Sequence, residues 1–191
     1  RDSVASRGLG DVYKRQLGEI GGAIEEVEET IIHNLLGLRD VMITDEMTPR
    51  TVVSAFDMNQ TIKEVLDENT ILRFSRIPVY EENIDHVRGL VIRSEILMAA
   101  SRDEWDLRLK DIMKPILKLE QEGTIEQALD VFLSNRQQFA LVKDEFGGTS
   151  GILTMEDVME TLLGKEIVDE LDEVDDMRKL ARDQAAQTEE A

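Results

Sequence analysis

Hydrophobic and polar positions recur in the same order in two successive stretches of this chain. The first stretch begins near Met47-Thr48-Pro49, and the second begins near Met113-Lys114-Pro115. A helix start follows in each, at Thr61-Ile62-Lys63-Glu64 and at Thr124-Ile125-Glu126-Gln127. Both starts have Thr at the N-cap and Glu or Gln three residues later, which is the pattern of a capping box. The chain therefore contains an internal repeat.

Two short strand-like runs follow the helix of each copy. They are residues 76–80 and 89–92 in the first copy, and 139–142 and 151–153 in the second. The polar sequences EENIDH and KDEFGGTS separate the runs and predict turns. A last helix closes each copy, and in the second it carries an apolar stripe of Met155, Val158, Met159, Leu162 and Leu163.

Each copy thus has the order strand, helix, strand, strand, helix. The predicted fold class is α/β (α+β), with two β-α-β-β-α repeats. A unit of about 55 residues buries too little surface to be stable alone. We therefore expect the two copies to pack together as a pseudo-twofold pair.

An amphipathic helix precedes the repeat. Its apolar positions recur at spacings of three and four, with glutamates between them, at Ile24, Val27, Ile31, Leu35 and Leu38. We interpret it as a packing helix, and the alternative is a connector that transmits movement from an upstream domain. The predicted divisions are a non-native or disordered segment at 1–16, a connector helix at 17–40, the first copy at 41–104, the second at 105–165, and an acidic helix and tail at 166–191.

The two ends of the chain differ from the repeat in composition. Residues 1–16, RDSVASRGLGDVYKRQ, lack apolar periodicity and resemble a translated vector or adapter, with a disordered native tail as the alternative. In the acidic stretch 166–176, Ile167, Leu171 and Val174 lie at helical spacing. That pattern is typical of a solvated helix face, and the alternative is a segment that responds to Mg²⁺ or contacts a partner.

Composition excludes several classes of function. The net charge of −19 argues against nucleic acid as a partner, because phosphate contacts need clustered Lys and Arg. There is no cysteine, so disulfides and thiolate chemistry are excluded, and an intracellular location is weakly favoured. No apolar run approaches the roughly 20 residues that cross a bilayer, so we expect the chain as given to be soluble. His33 and His86 are isolated, and we expect no metal site and no enzyme activity.

Three segments resemble a known family. The sequences MTPR at 47–50, SRIPVYEE at 75–82 and GGTSGILTMEDVMETLLGKEIVDELDE at 147–173 are similar to CBS-domain pairs of the CorC/CNNM family of magnesium and cobalt efflux membrane proteins. The resemblance runs from about residue 24 to about residue 176. It implies a regulatory, non-enzymatic module on the cytoplasmic side of a membrane, with a transmembrane transport domain upstream of this chain.

The resemblance also implies a nucleotide site. Thr154 and Asp157 match the positions that hydrogen-bond the ribose and phosphate of an adenine nucleotide, at a helix N-terminus suited to an anion. The first copy would supply the opposite wall. Its matching residues are Thr48, Phe74, Ser75, Arg76, Ile77 and Pro78, with Ile77 and Pro78 against adenine and Arg76 on phosphate. Arg50 is a weaker phosphate candidate, and Phe74 replaces a tyrosine common in the family.

Plainer interpretations remain open for these residues. Thr-x-x-Asp is also an ordinary helix cap, and Arg76 could form a surface salt bridge. The first copy has Ile92 and Glu95 where the second has Thr154 and Asp157. We therefore expect one good site in each chain.

The expected function is regulation by a bound ligand. ATP with Mg²⁺ would bind between the copies and bias the module between two arrangements, which would alter an attached transport domain. The alternatives are sensing of AMP or another adenosyl ligand for an enzyme, and a ligand-free dimerisation module. We expect a homodimer formed through the apolar last helices, which carry Ile96-Leu97 in the first copy and Val158, Met159, Leu162 and Leu163 in the second.

Overall fold

The computed structural model describes residues 28–69 and 71–164. Within them, helix α1 covers 28–37 and leads into a 3₁₀ turn at Leu38–Asp40. The elements that follow in the first half are α2 (Ile43–Glu46), β1 (Thr48–Pro49), a 3₁₀ turn (Arg50–Val52), β2 (Phe56–Asp57), α3 (Ile62–Glu68), β3 (Arg76–Glu81), β4 (Asn83–Ile92) and α4 (Arg93–Ser101). Those of the second half are α5 (Leu109–Ile112), β5 (Leu117–Glu120), α6 (Ile125–Asn135), β6 (Phe139–Lys143), β7 (Thr149–Thr154) and α7 (Met155–Leu163).

The predicted fold class is confirmed, since both halves show the order β-α-β-β-α. The two predicted capping boxes are present. Thr61 Oγ1 accepts from Glu64 N at 3.2 Å, and Thr124 Oγ1 accepts from Gln127 N at 3.4 Å. Residues 1–16 and the acidic stretch 166–176 lie outside the described residues, and so do Ile24 and Val27 of the amphipathic helix.

One predicted turn is wrong. EENIDH was expected to be a polar turn, but Asn83 to His86 belong to β4 and only Glu82 separates β4 from β3. Glu82 has a φ of 67°, in the left-handed region, and Glu81 pairs with Asn83. In a hairpin this tight, one residue with positive φ makes the turn and the polar residues after it are part of the strand. Polar composition therefore predicted a turn longer than the one in the structure. The second predicted turn is confirmed at 144–148, between β6 and β7.

The segment that enters each copy pairs with the sheet of the other copy. One sheet has the order β2-β3-β4, and the other has the order β1-β7-β6-β5. In the second sheet Thr48 of the first copy pairs with Ile152. Lys114 of the second copy pairs in turn with Leu90, through main-chain hydrogen bonds of 2.8 and 3.0 Å. This reciprocal exchange gives the two lobes their pseudo-twofold relation.

Glycine lies at both crossings. A Cβ built at Gly89 would lie 2.5 Å from the main-chain oxygen of Lys114, and at Gly151 it would lie still closer to the oxygen of Thr48. The obstructing atoms belong to the main chain of a paired strand, so they cannot rotate away. The exchange therefore requires a residue without a side chain at the equivalent position of each copy.

Each lobe has its own hydrophobic core. The core of the first lobe is built from Phe56, Ile62, Val65, Leu72, Ile77, Val79, Val91, Ile96, Ala99 and Leu109. The core of the second lobe is built from Leu38, Ile43, Leu119, Ile125, Ala128, Phe132, Ala140, Val142, Leu153 and Val158. Leu38 and Ile43 precede β1 in sequence but pack in the second lobe, because the chain that leads into β1 must run alongside β7.

The outer faces of the two sheets meet between the lobes. Along a strand, alternate side chains point to opposite faces. Ile77 and Val79 of β3 lie in the first core, whereas Pro78 is buried outside both cores. Leu90 and Leu141 are likewise buried outside both cores, and β4 contacts β7. These side chains therefore fill the contact between the lobes.

Polar contacts add to this apolar contact at the hairpin end of the sheets. Arg50 Nη1 donates to Asp85 Oδ1 at 2.6 Å, and Lys143 Nζ donates to the main-chain oxygen of Asp85 at 3.0 Å. Burial alone would raise the pKa of the Asp85 carboxyl, but the hydrogen bond and charge of Arg50 outweigh it and lower that pKa. Burial also lowers the pKa of the Lys143 ammonium, and the charge of Lys118 lowers it further. Arg50, a weaker phosphate candidate in the sequence, thus binds Asp85 in this structure.

Helix α1 packs against the second lobe through one face. Asn34 Nδ2 donates to the main-chain oxygen of Leu162 at 3.0 Å. Ile31 is half-buried, whereas Leu35 on the predicted apolar face is exposed. In the described part of the chain, no helix is both long enough and apolar enough to cross a membrane.

Gly151→Ala tests the strand crossing. We expect it to lower the free energy of unfolding by about 1–3 kcal/mol, because the new methyl group forces paired main chains apart. For a chain of this size that is a fall in Tm of roughly 2–12 °C, measurable by circular dichroism. The matched control is Gly37→Ala, which has helical backbone and nothing within 4 Å of the new Cβ, and which should leave the Tm unchanged or raise it. Equal Tm values for the two variants would contradict the crossing.

Candidate functional site

The N-terminus of α7 holds the two central candidate residues in one arrangement. Thr154 N and Thr154 Oγ1 donate to Asp157 Oδ2 at 2.6 and 2.7 Å, and Asp157 N donates back to Thr154 Oγ1 at 3.2 Å. The capping interpretation of Thr-x-x-Asp is therefore met in the structure. The same bonds fix a carboxylate and a hydroxyl beside the free N–H groups that begin a helix, where an anion is favoured.

Strand exchange places Thr48 beside this helix start. Thr48 pairs with Ile152, and Thr154 follows two residues later on the same strand. Residues two apart on a strand share a face, and Leu153 between them points into the core of the second lobe. Thr48 and Thr154 therefore lie on the outward face of one sheet, although they are distant in sequence.

The residues of the opposite wall lie at the start of β3, on the sheet of the first lobe. Phe74 is 42% exposed, and Ser75 and Arg76 are exposed as well. Pro78 lies on the face turned towards the second lobe. Ile77 is different, because it is 2% exposed and packs in the first core, so its side chain points away from the space between the lobes. Any contact of Ile77 with a ligand would come from its main chain.

Arg76 has no acidic partner among the residues that the structure describes. Of the other arginines in this lobe, Arg88 binds Glu81 at 2.8 Å and Arg93 binds main-chain oxygens. The alternative of a surface salt bridge at Arg76 therefore finds no counterpart within residues 28–69 and 71–164. In a protein with 41 acidic and 22 basic residues, an exposed guanidinium without a counter-ion is a favourable position for an anion.

The equivalent positions of the first copy are arranged differently. Helix α4 begins after Ile92 with no side-chain cap, and Glu95 takes the place of Asp157. Lys114 takes the place of Thr48, and its Nζ lies 2.5 Å from Glu95 Oε1. The carboxylate of this second cleft is thus already paired with an ammonium of the same chain.

The structure also contains polar contacts that were not predicted from the sequence. They are the Lys114–Glu95 pair, the Asp85 contacts with Arg50 and Lys143, and the hydrogen bonds of Arg93. Two of these contacts could have been suspected from the sequence. When the two copies are aligned, Lys114 falls opposite Thr48 and Arg93 opposite Met155, so each charged residue has an uncharged counterpart. No group of three or more His, Asp or Glu side chains within the described ranges is arranged to hold a metal ion.

Comparison with known proteins adds independent information. The profile of the CBS domain family matches residues 109–164, which is the second copy. The magnesium and cobalt efflux protein CorC of Salmonella typhimurium is 32% identical over 161 residues, covering 83% of this chain and 55% of that protein. The chain thus spans about half the length of the curated relatives it matches.

Two solved structures are similar over nearly their whole length. One is the CBS domain of a bacterial CNNM/CorC family Mg²⁺ transporter in complex with ATP, at 31% identity and a TM-score of 0.68, covering 72% of this chain and 98% of that one. The other has the same description without ATP, at 30% identity and a TM-score of 0.71, covering 88% and 100%. The resemblance inferred from the sequence is confirmed, and the chain belongs to the CNNM/CorC family as its CBS-domain module.

Proposed function

We propose that this chain is a regulatory module that binds one ATP with Mg²⁺ between its two lobes and thereby controls an attached magnesium and cobalt transport domain. The nucleotide site comprises Thr48, Phe74, Ser75, Arg76, Ile77, Pro78, Thr154 and Asp157. The module lies on the cytoplasmic side of the membrane. The observation that carries the proposal is the exposed guanidinium of Arg76, which has no acidic partner within residues 28–69 and 71–164, and the similar CNNM/CorC structure in complex with ATP supports it.

Each part of ATP has a chemically suitable partner in this site. The Asp157 carboxylate can accept hydrogen bonds from a ribose diol, and the N-terminus of α7 favours negative charge. Arg76 offers planar donors to a phosphate. A protein of net charge −19 repels free ATP, and Mg²⁺ reduces that repulsion by neutralising two phosphate charges while keeping several of its waters.

A single nucleotide per chain follows from the asymmetry of the two copies. In the second cleft Glu95 is paired with Lys114 and the hydroxyl of Thr154 is replaced by Ile92. A ribose there would have to displace an ion pair and would find no hydroxyl. The second cleft is therefore less suited to a ribose than the first.

Regulation requires that ATP bind two arrangements of the lobes with different affinity. The site takes Thr154 and Asp157 from one lobe and Arg76 from the other, so its affinity depends on how the lobes are placed. Thr48 connects the two, because it belongs to the first copy and pairs in the second sheet. A change in lobe placement would reach a transport domain through the chain that precedes β1.

Dimerisation belongs to the same proposal. Of the apolar residues expected to form the dimer face, Ile96 and Val158 are fully buried in the cores of their own lobes. Leu97 and its neighbour Met98 are each 49% exposed on α4, and Met159, Leu162 and Leu163 are partly exposed on α7. These five side chains form the surface that a second copy would cover.

Arg76→Met tests the site with little effect on the fold, because Arg76 has no bond to lose in the described structure. For the wild type, free Mg-ATP at ten times its Kd should stabilise the fold by about 1.4 kcal/mol and raise the Tm by roughly 3–6 °C. Both Arg76→Met and Asp157→Ala should remove most of that rise, whereas only Asp157→Ala, which breaks the cap, should lower the Tm without nucleotide.

The matched controls are Arg88→Met and Glu95→Ala, which should keep the rise in Tm. Calorimetric titration with ATP, with and without Mg²⁺, and with AMP gives the affinities and the number of sites. If Asp157→Ala binds ATP as well as the wild type, Asp157 has only a capping role. If ATP binds equally well without Mg²⁺, the argument that Mg²⁺ reduces charge repulsion is wrong. Tighter binding of AMP than of Mg-ATP would favour the alternative that the module senses AMP for an enzyme.

Leu97→Glu tests the dimer surface. We expect the wild type to sediment as a dimer at micromolar concentration, and the variant to sediment as a monomer, because a charge would be buried without a partner. The control is Leu133→Glu, at a residue that is 63% exposed on α6 and outside the surface. A wild type that remains monomeric with and without nucleotide would overturn the dimer.

A further inference from the structure

The wall that carries Arg76 is preceded by a long connection. Helix α3 ends at Glu68 and β3 begins at Arg76, whereas in the second copy only residues 136–138 separate α6 from β6. Described residues 71–75 form neither helix nor strand. Of these, Leu72 is buried in the first core, while Ile71 and Phe74 are exposed. Among residues 71–75, the hydrophobic core therefore anchors Leu72 alone.

Arg93 adds hydrogen bonds to this segment. Its Nη1 donates to the main-chain oxygen of Leu72 at 3.0 Å and to that of Arg73 at 2.9 Å. Its main-chain N donates to the oxygen of Ser75 at 3.0 Å. One residue thus holds three carbonyl groups of the segment that leads directly into Arg76.

The second copy keeps only part of this arrangement. Met155 is equivalent to Arg93, and its main-chain N donates to the oxygen of Gln138 at 3.0 Å. A methionine side chain has no N–H to donate. The guanidinium contacts are therefore specific to the first copy, which is the copy that supplies the wall.

The position of Arg93 argues for a specific role. It is the first residue of α4, where the helix dipole disfavours a positive charge. Arg93 is half-buried, and in the part of the chain that the structure describes its guanidinium donates to carbonyl groups and not to an acid. We therefore attribute the presence of Arg93 at this unfavourable position to its hydrogen bonds with the main-chain oxygens of Leu72 and Arg73.

We propose that Arg93 is a positioning residue that holds the segment 72–75, and so presets Phe74, Ser75 and Arg76 as the wall of the nucleotide site. This inference rests on the proposed function and deepens it. A wall that is already ordered loses less conformational entropy when the ligand binds, so its affinity is higher. Arg93 itself need not touch the nucleotide.

A double-mutant cycle tests whether Arg93 acts through the wall. Arg93→Met, the residue of the second copy, should weaken Mg-ATP binding about tenfold in calorimetric titrations, as expected for loss of charge-assisted hydrogen bonds. The loss should be much smaller when Arg76 is already methionine, because the two residues act as a unit. It should remain tenfold in an Asp157→Ala background, since Asp157 belongs to the other lobe.

Two further variants separate positioning from general stability. Arg93→Lys keeps a donor within reach of the carbonyl groups and should recover part of the affinity. Arg88→Met removes an arginine that binds Glu81 in the same lobe and should leave the Kd unchanged. All titrations are made well below every Tm. Equal losses for Arg93→Met in the wild-type and Arg76→Met backgrounds would overturn the proposal, and so would an unchanged Kd.

A test without nucleotide keeps this inference separate from the proposed function. Trypsin cleaves after Arg73, within the held segment, and Arg93→Met should raise the rate of that cleavage about tenfold if opening is governed by two lost hydrogen bonds. Arg88→Met should not change it. Unaltered cleavage at Arg73 would refute the positioning role. Accelerated cleavage in a protein that fails to bind ATP would support Arg93 and contradict only the nucleotide site.

Discussion

Reciprocal pairing of the segment that enters each copy with the sheet of the other copy is the constraint on which the rest of this structure depends. Thr48 pairs with Ile152 in the second sheet, and Lys114 pairs with Leu90 at the edge of the first. Each pairing requires a glycine opposite a main-chain oxygen. The exchange draws Leu38 and Ile43 into the core of the second lobe and brings Thr48 onto the face that carries Thr154. Lobe packing and site geometry are thus consequences of the same two contacts.

Within this symmetric frame the two copies have diverged in their chemistry. The second copy supplies the capped carboxylate of Asp157 and the hydroxyl of Thr154. The first copy has no such cap, pairs Lys114 with Glu95 at the equivalent position, and has the contacts of Arg93 with the segment before β3. The second copy would bind the ribose of a nucleotide, and the first would supply the opposite wall with Arg76. Neither copy alone contains all the residues of the proposed site.

Much of the fold could be predicted from the sequence because local signals agreed with the final structure. The capping boxes at Thr61 and Thr124 mark helices correctly, since capping is decided within four residues. The tight turn at Glu82 was missed because one residue with positive φ leaves no compositional trace. Strand exchange was missed for another reason: periodicity predicts elements but carries no information about which of them pair, and Thr48 and Ile152 are about a hundred positions apart. The candidate site residues came from family resemblance, and burial separates Ile77 from the others in a way that spacing could not.

Strand exchange also has a consequence for synthesis. Leu38 and Ile43 join the core of the second lobe and Thr48 pairs with Ile152, so these residues leave the ribosome before the partners that they contact. At about 5–20 residues per second those partners emerge roughly 5–20 s later. During that interval the apolar side chains before β1 have no core to enter, and the first sheet lacks its contact with Lys114. Neither lobe can be completed until the other has been made, so we expect the two lobes to fold as one cooperative unit once the second copy has been synthesised.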